Sequence, residues 1–145
     1  MNLFLRRAAL VAALLSASAP ARATDVIVRV SGIIGSAGVV RVAVCLPAEY
    51  VARHCARGAA IPSRPGTIEA TVPSVPPGRY AVIAHHDRTG DGVVHTNWLG
   101  IPLDGVGVSR NARGRFGPPS FDEVALEIAG PKYLVDITLR QEPAE

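Results

Sequence analysis

Long apolar runs, aromatic residues, cysteine and helical periodicity are all scarce in this sequence, and each scarcity narrows what the chain can be. Its 145 residues include two cysteines, one tryptophan, three tyrosines and three phenylalanines. No stretch approaches the roughly 20 apolar residues needed to cross a bilayer core. The apolar run Ala8–Leu15 is far shorter and follows Arg6 and Arg7. A basic start, a short apolar run and the Ala21-Arg22-Ala23 site together read as a secretory signal. Cleavage is expected after Ala23, leaving residues 24–145 as one mature domain with no transmembrane segment, periplasmic or secreted. An excess of charge is missing too. Taking Arg6, Arg7 and Arg22 from the 15 basic residues leaves 12 against 12 acidic ones. The formal +3 of the whole chain therefore gives no reason to expect a nucleic-acid partner.

Two cysteines, Cys45 and Cys55, remain in the mature part. In an exported chain an even pair reads first as a disulfide, with free or metal-binding thiols as the alternative. Closing a loop this short is worth ~3 kcal/mol in the chain-entropy model.

What is present is β-branched alternation. Val26, Val28 and Val30 alternate with Ile27, Arg29 and Ser31. Val39–Leu46 is a second strand, Thr67–Val72 a third and Tyr80–His86 a fourth, central because both its faces are apolar. Val124–Ala129 and Tyr133–Leu139 flank Gly130-Pro131-Lys132, which reads as a hairpin-like turn. Pro47–Ala56 suits one short helix, with Pro47 in its first turn and Glu49 near its positive end. Short strands between Gly/Pro turns predict an all-β, antiparallel sandwich of about seven strands. In Pro76-Pro77-Gly78-Arg79-Tyr80 the prolines stiffen the approach, and Gly78 permits a turn dihedral. Tyr80 then opens a strand with its ring buried and its hydroxyl on a backbone partner. The stretch 87–122 has little strand pattern. It carries Trp98, Leu99, Ile101, Leu103, Val106, Val108, Phe116 and Phe121, so a long ordered loop anchored by these side chains is expected. No internal repeat or low-complexity tract is visible.

Tyr80-Ala81-Val82, His86-Asp87, Gly90-Asp91-Gly92, Asn97, Leu99-Gly100-Ile101-Pro102, Gly105, Gly107, Ser109, Asn111 and Phe116-Gly117-Pro118-Pro119-Ser120-Phe121 resemble the bacterial exported family of domain of unknown function 2141. The resemblance implies a small secreted or periplasmic Ig-like or transthyretin-like sandwich, and no activity comes with it.

Four patterns could carry chemistry. In Asp87–His95, oxygen donors alternate and Gly92 stands sixth, as at the opening of a calcium loop. The candidate ligands are Asp87, Thr89, Asp91, Val93 and His95. In the family this segment resembles Asp-x-Asn-x-Asn-Gly-x-x-Asp. Here Thr89 and His95 depart from it, and Trp98 stands where an EF-hand has its bidentate Glu. The alternative is a turn whose Asp side chains bond their own backbone. The second pattern is Cys45, His54, Cys55, His85, His86 and His95, soft ligands without compact metal spacing. Third, Ser109, Ser120 and the histidines lack a G-x-S-x-G elbow, and Asp104, Asp122 and Glu123 could pair for acid–base work but read first as solvated loop charges. Fourth, Arg110, Arg113 and Arg115 could face an anionic surface such as lipid headgroups, or simply solubilise a loop.

The leading expectation is a non-enzymatic binding or accessory module of the cell envelope, with an envelope protein or small ligand as partner. Its candidate contact residues are His86, Asn97, Trp98, Ser109, Asn111, Phe116 and Ser120. A structural Ca²⁺-binding domain through residues 87–95 is the alternative. A periplasmic hydrolase or metalloenzyme using His86, His95 and nearby acids is a third.

Overall fold

The computed structural model describes residues 21–141, so the basic start and apolar run of the expected signal lie outside the described residues. The valine alternation sets the architecture. β1 (Thr24–Ile33) turns Val26, Val28 and Val30 fully inward and leaves Arg29 in solvent, because successive side chains of a strand point to opposite faces. It is the middle strand of a three-stranded sheet between β4 (Gly66–Val75) and β8 (Lys132–Thr138). β4 pairs with it antiparallel, but β8 pairs parallel, with Val28 opposite Val135.

The second sheet runs β3 (Arg57–Pro62), β2 (Val39–Cys45), β5 (Gly78–Asp87), β6 (Val106–Val108), and β7 (Leu126–Ile128) also pairs with β5. The inner faces of the two sheets meet in one cluster. Val40, Val42, Val44, Tyr80 and Val82 from the second sheet pack against Val26, Val28, Ile68, Val72, Val135 and Ile137. Fully burying each such aliphatic side chain is worth about 1.5–3 kcal/mol. That outweighs the exposed Arg29–Glu69 pair on the outer face at 3.0 Å, a kind of contact worth ~1 kcal/mol or less. The protein is thus an all-β sandwich, with eight strands among the described residues.

Several expectations need correction. Gly130–Lys132 is not a hairpin turn. β7 belongs to one sheet and β8 to the other, so these residues carry the chain across the sandwich. Val124–Ala129 is only partly a strand, because a short helix α2 (Phe121–Val124) precedes β7. The first helix, α1 (Pro47–Ala52), stops before Ala56, at Arg53 in the left-handed region. Tyr80 behaves as expected, with its ring buried and its hydroxyl donating to the Pro76 carbonyl at 2.8 Å. Gly78, however, has no left-handed dihedral. It leaves room, since a Cβ there would stand 3.1 Å from the Tyr80 ring. Cys45 and Cys55 form the disulfide, with Cα atoms 5.0 Å apart.

Candidate functional site

The outer face of the five-stranded sheet is covered by residues 88–125 in two halves. Over the disulfide end, Val124, Phe121, Tyr50 and Ala112 pack on Cys45, Ala81 and Ile83. Over the other end lies a polar cluster, built from the outward residues of β2 and β5. Alternation along β5 sends His86 into the inter-sheet side while His85 and Asp87 point outward.

Asp87 is completely buried. Its Oδ2 accepts from Arg41 Nε at 2.7 Å and from the Gly92 amide at 2.8 Å. Its Oδ1 accepts from the Gly90 amide at 2.8 Å and from Thr89 Oγ1 at 3.4 Å. Burial pushes this carboxyl up, but the guanidinium and the two amides outweigh it and hold it well below the ordinary carboxylate range. Asp91 accepts the Val93 amide at 2.9 Å. Asp87 and Asp91 therefore bond their own loop's backbone, and a cation at Asp87 would have to displace Arg41. Among the described residues, no three His, Cys, Asp or Glu side chains are grouped to hold a metal ion.

Asp104 is the second centre, and it is buried, not the solvated loop charge expected. Its Oδ2 accepts both the His95 amide and His95 Nδ1 at 2.9 Å, and its Oδ1 accepts Arg88 Nε at 3.2 Å. Burial raises its pKa, yet these donors bring it below the usual value. The other His95 nitrogen, Nε2, lies 3.2 Å from Asp91 Oδ2. The bond to Asp104, and the carboxylates of Asp91 and Asp104 near the ring, raise the His95 pKa. His85 Nε2 approaches Asp104 to 3.7 Å without a hydrogen bond, and burial lowers the His85 pKa. His95 and Asp104 line an open cleft with Ala37, Arg88, Thr89 and Leu103. The two bonds from His95 to Asp104 latch the loop to the buried carboxylate. Asp122 and Glu123 lie elsewhere. Asp122 pairs with Arg79 at 2.9 Å, and Glu123 accepts the Ser120 amide at 2.7 Å.

The contact residues named from the sequence divide into staples and display. His86 is fully buried, with Nε2 2.9 Å from both the Ala37 carbonyl and Ser63 Oγ. Ser63 donates its own proton to Gly35, so His86 Nε2 is the donor. Ser109 is also fully buried, accepting the Val82 amide and donating to the Val124 carbonyl. Neither can meet a partner. Asn111 Oδ1 accepts the Thr138 amide at 2.9 Å, and Ser120 caps α2 against Glu123. Asn97 Oδ1 accepts the amides of Leu99 and Ile101, both at 3.0 Å. Trp98 and Phe116 are the display residues, exposed at 90% and 103%.

Of the apolar side chains expected to anchor the long loop, Val108 and Phe121 pack inward and Val106 is half-buried, but Trp98, Leu99, Ile101, Leu103 and Phe116 are on the surface. Val93, Val94, Leu99, Ile101 and Leu103 are exposed alongside Trp98, and only Phe121 of the two phenylalanines packs inward. The tip is nonetheless ordered. Its Asn97 amide donates to the Ile101 carbonyl and its Gly100 amide to Asn97, both at 2.9 Å, while Leu103 returns to His95 at 2.8 Å. Gly100 sits at φ +78°, which L side chains rarely adopt. Arg41, Arg88 and the display role of Val93, Val94 and Leu103 were missed. Finding the two arginines needs strand register, and the valines carry no motif.

The fold and site define an all-β sandwich with a latched polar cluster and an exposed apolar tip. Residues 28–135 match the model of the family described as uncharacterized protein conserved in bacteria, domain of unknown function 2141 (DUF2141), and the chain belongs to that family. The match covers β2 to β7 whole, part of β1 and β8, the polar cluster and the tip. No curated protein and no solved structure matches the chain.

Proposed function

We propose that this protein is a non-enzymatic binding module of the cell envelope, and that it engages its partner through the Val93–Leu103 tip. The observation that carries this reading is the display of Trp98, Leu99 and Ile101 on a loop whose backbone is hydrogen-bonded to itself. Large side chains left in water cost about 0.8 kcal/mol per exposed methylene relative to burial, and a contiguous exposed apolar patch marks an interaction site. An ordered loop on a rigid scaffold also binds at lower entropic cost. The disulfide supports a place outside the cytoplasm.

The test is retention on envelope fractions. Wild type is retained and Trp98→Ser, Leu99→Ser is not, at equal folded stability. Equal retention of both would overturn the reading. So would turnover in an ester, phosphate or glycoside panel that Asp104→Asn or His95→Gln abolishes.

A further inference from the structure

We infer that the occupant of the tip is the surface of an anionic phospholipid bilayer, into which Trp98, Leu99 and Ile101 insert while arginines at the tip's base meet the headgroups. This rests on the reading of the tip as a docking element and names its partner.

Three observations favour a bilayer over a protein. The first is backbone satisfaction. Inserting a loop into the interface is costly if its amides lose water without replacement. Here the amides of Asn97, Leu99, Gly100 and Ile101 all donate within the tip, two of them to the single Asn97 side chain. The second is composition. Val93–Leu103 contains no Asp, Glu, Lys or Arg, and its one titratable side chain, His95, is turned back onto Asp104. Tryptophan beside aliphatic residues is the pairing favoured at the membrane–water interface. A protein partner would instead need roughly 800 Å² of matched surface on each side, whereas the tip is a narrow turn closed by the Thr96–Pro102 bridge.

The third observation is charge. From Val93 to Phe121 the only acid is Asp104, which is buried and neutralised by Arg88 and His95. The same stretch carries Arg110, Arg113 and Arg115. Arg140 joins the two regions. It lines a shallow depression with Ile101 and Pro102, and its Nη2 donates to the Asn111 carbonyl at 3.3 Å. Arg140 therefore sets a guanidinium beside the apolar tip, the complement of anionic headgroups, while Asp91, the nearest acid before the tip, is turned to His95 at 3.2 Å.

The experiment uses the sole tryptophan as the reporter. The purified, disulfide-bonded protein is mixed with unilamellar vesicles of phosphatidylcholine alone, or of phosphatidylcholine and phosphatidylglycerol in equal parts. The expected result is co-sedimentation with the anionic vesicles and a shift of Trp98 emission to shorter wavelength. Leu99→Asp, which keeps the fluorophore, abolishes the shift. Arg140→Gln weakens binding about fivefold, as loss of one surface arginine implies. The run Ala8–Leu15, if retained, would itself bind lipid, so the emission difference between wild type and Leu99→Asp in the same chain decides. Equal melting temperatures establish that Leu99→Asp is folded. Unshifted emission with anionic vesicles overturns the inference, even if sedimentation occurs. So does an emission shift that Leu99→Asp retains. Tip-dependent retention by lipid-free envelope protein, with no vesicle response, would also overturn it while leaving the tip a docking element.

Discussion

Arg41 Nε lies 2.7 Å from Asp87 Oδ2, and the carboxylate it holds is fully buried. The pair joins β2 to the first turn of the long loop, and it places a guanidinium on the carboxylate that a calcium ion bound there would need. Millimolar Ca²⁺ or excess EDTA is therefore expected to leave the melting temperature unchanged. Saturating a real site at 100 times its Kd would add ~2.7 kcal/mol, or roughly 10 °C for a domain of this size. A rise of that order, removed by Asp87→Ala, would reassign the loop as a cation site.

Asp87→Ala itself removes the acceptor for two amides and a guanidinium. The donors are partly solvated, so a loss of about 2 kcal/mol is expected. The Asp87 pKa is depressed in the fold, so its contribution is present above the ordinary carboxylate value of about 3.9 and is lost as pH falls through the folded value. Melting curves of wild type and Asp87→Asn should therefore converge only in strong acid.

The His95 latch has the opposite dependence. Its folded pKa is raised by Asp104, so its stabilisation is complete below the ordinary histidine value of about 6.5 and is lost as pH rises through the folded value. The gap in melting temperature between wild type and His95→Gln should be widest in mild acid and should close on the alkaline side. A gap independent of pH would mean that the ring acts by packing alone.

Residues named together from the sequence should separate on mutation. Ser109→Ala strands the Val82 amide and the Val124 carbonyl in a buried site, and about 2 kcal/mol of stability should go. Trp98→Ser and Phe116→Ser touch only surface and should shift stability by no more than about 0.5 kcal/mol. Chemical denaturation of the three variants checks this directly.

Reducing the Cys45–Cys55 bond should cost about 3 kcal/mol. Comparing denaturation midpoints of wild type and the Cys45→Ala, Cys55→Ala double variant measures it. Cys45 is fully buried under Val124 and Phe121, so the alanine pair adds a small packing loss that reduction alone does not.

The alternation of Val26, Val28 and Val30, of Ile68, Ala70 and Val72, and of the β5 residues was legible because a strand's inward face follows a period of two whatever it pairs with. The disulfide was legible from cysteine count and the export reading. β3 was not, since Gly58, Ala59 and Ala60 offer little contrast between faces on an edge strand ending at Pro62. Nor was the crossing at Gly130–Lys132, because a turn's residues do not say which sheet the next strand joins.

By itself the sequence determined an all-β chain with valine-rich inner faces, one disulfide and one long Gly/Pro-rich stretch, within which it did not reveal the short strand β6. These follow from local periodicity and residue chemistry. Only the tertiary structure decided that Asp87 faces Arg41, that Asp104 is buried between His95 and Arg88, that His86 ties down the turn at Ala37, and that Ser109 holds the long loop from inside. It also decided that Trp98 points outward. Those outcomes depend on strand register and on which face a loop covers, and both are set by contacts between residues far apart in the chain.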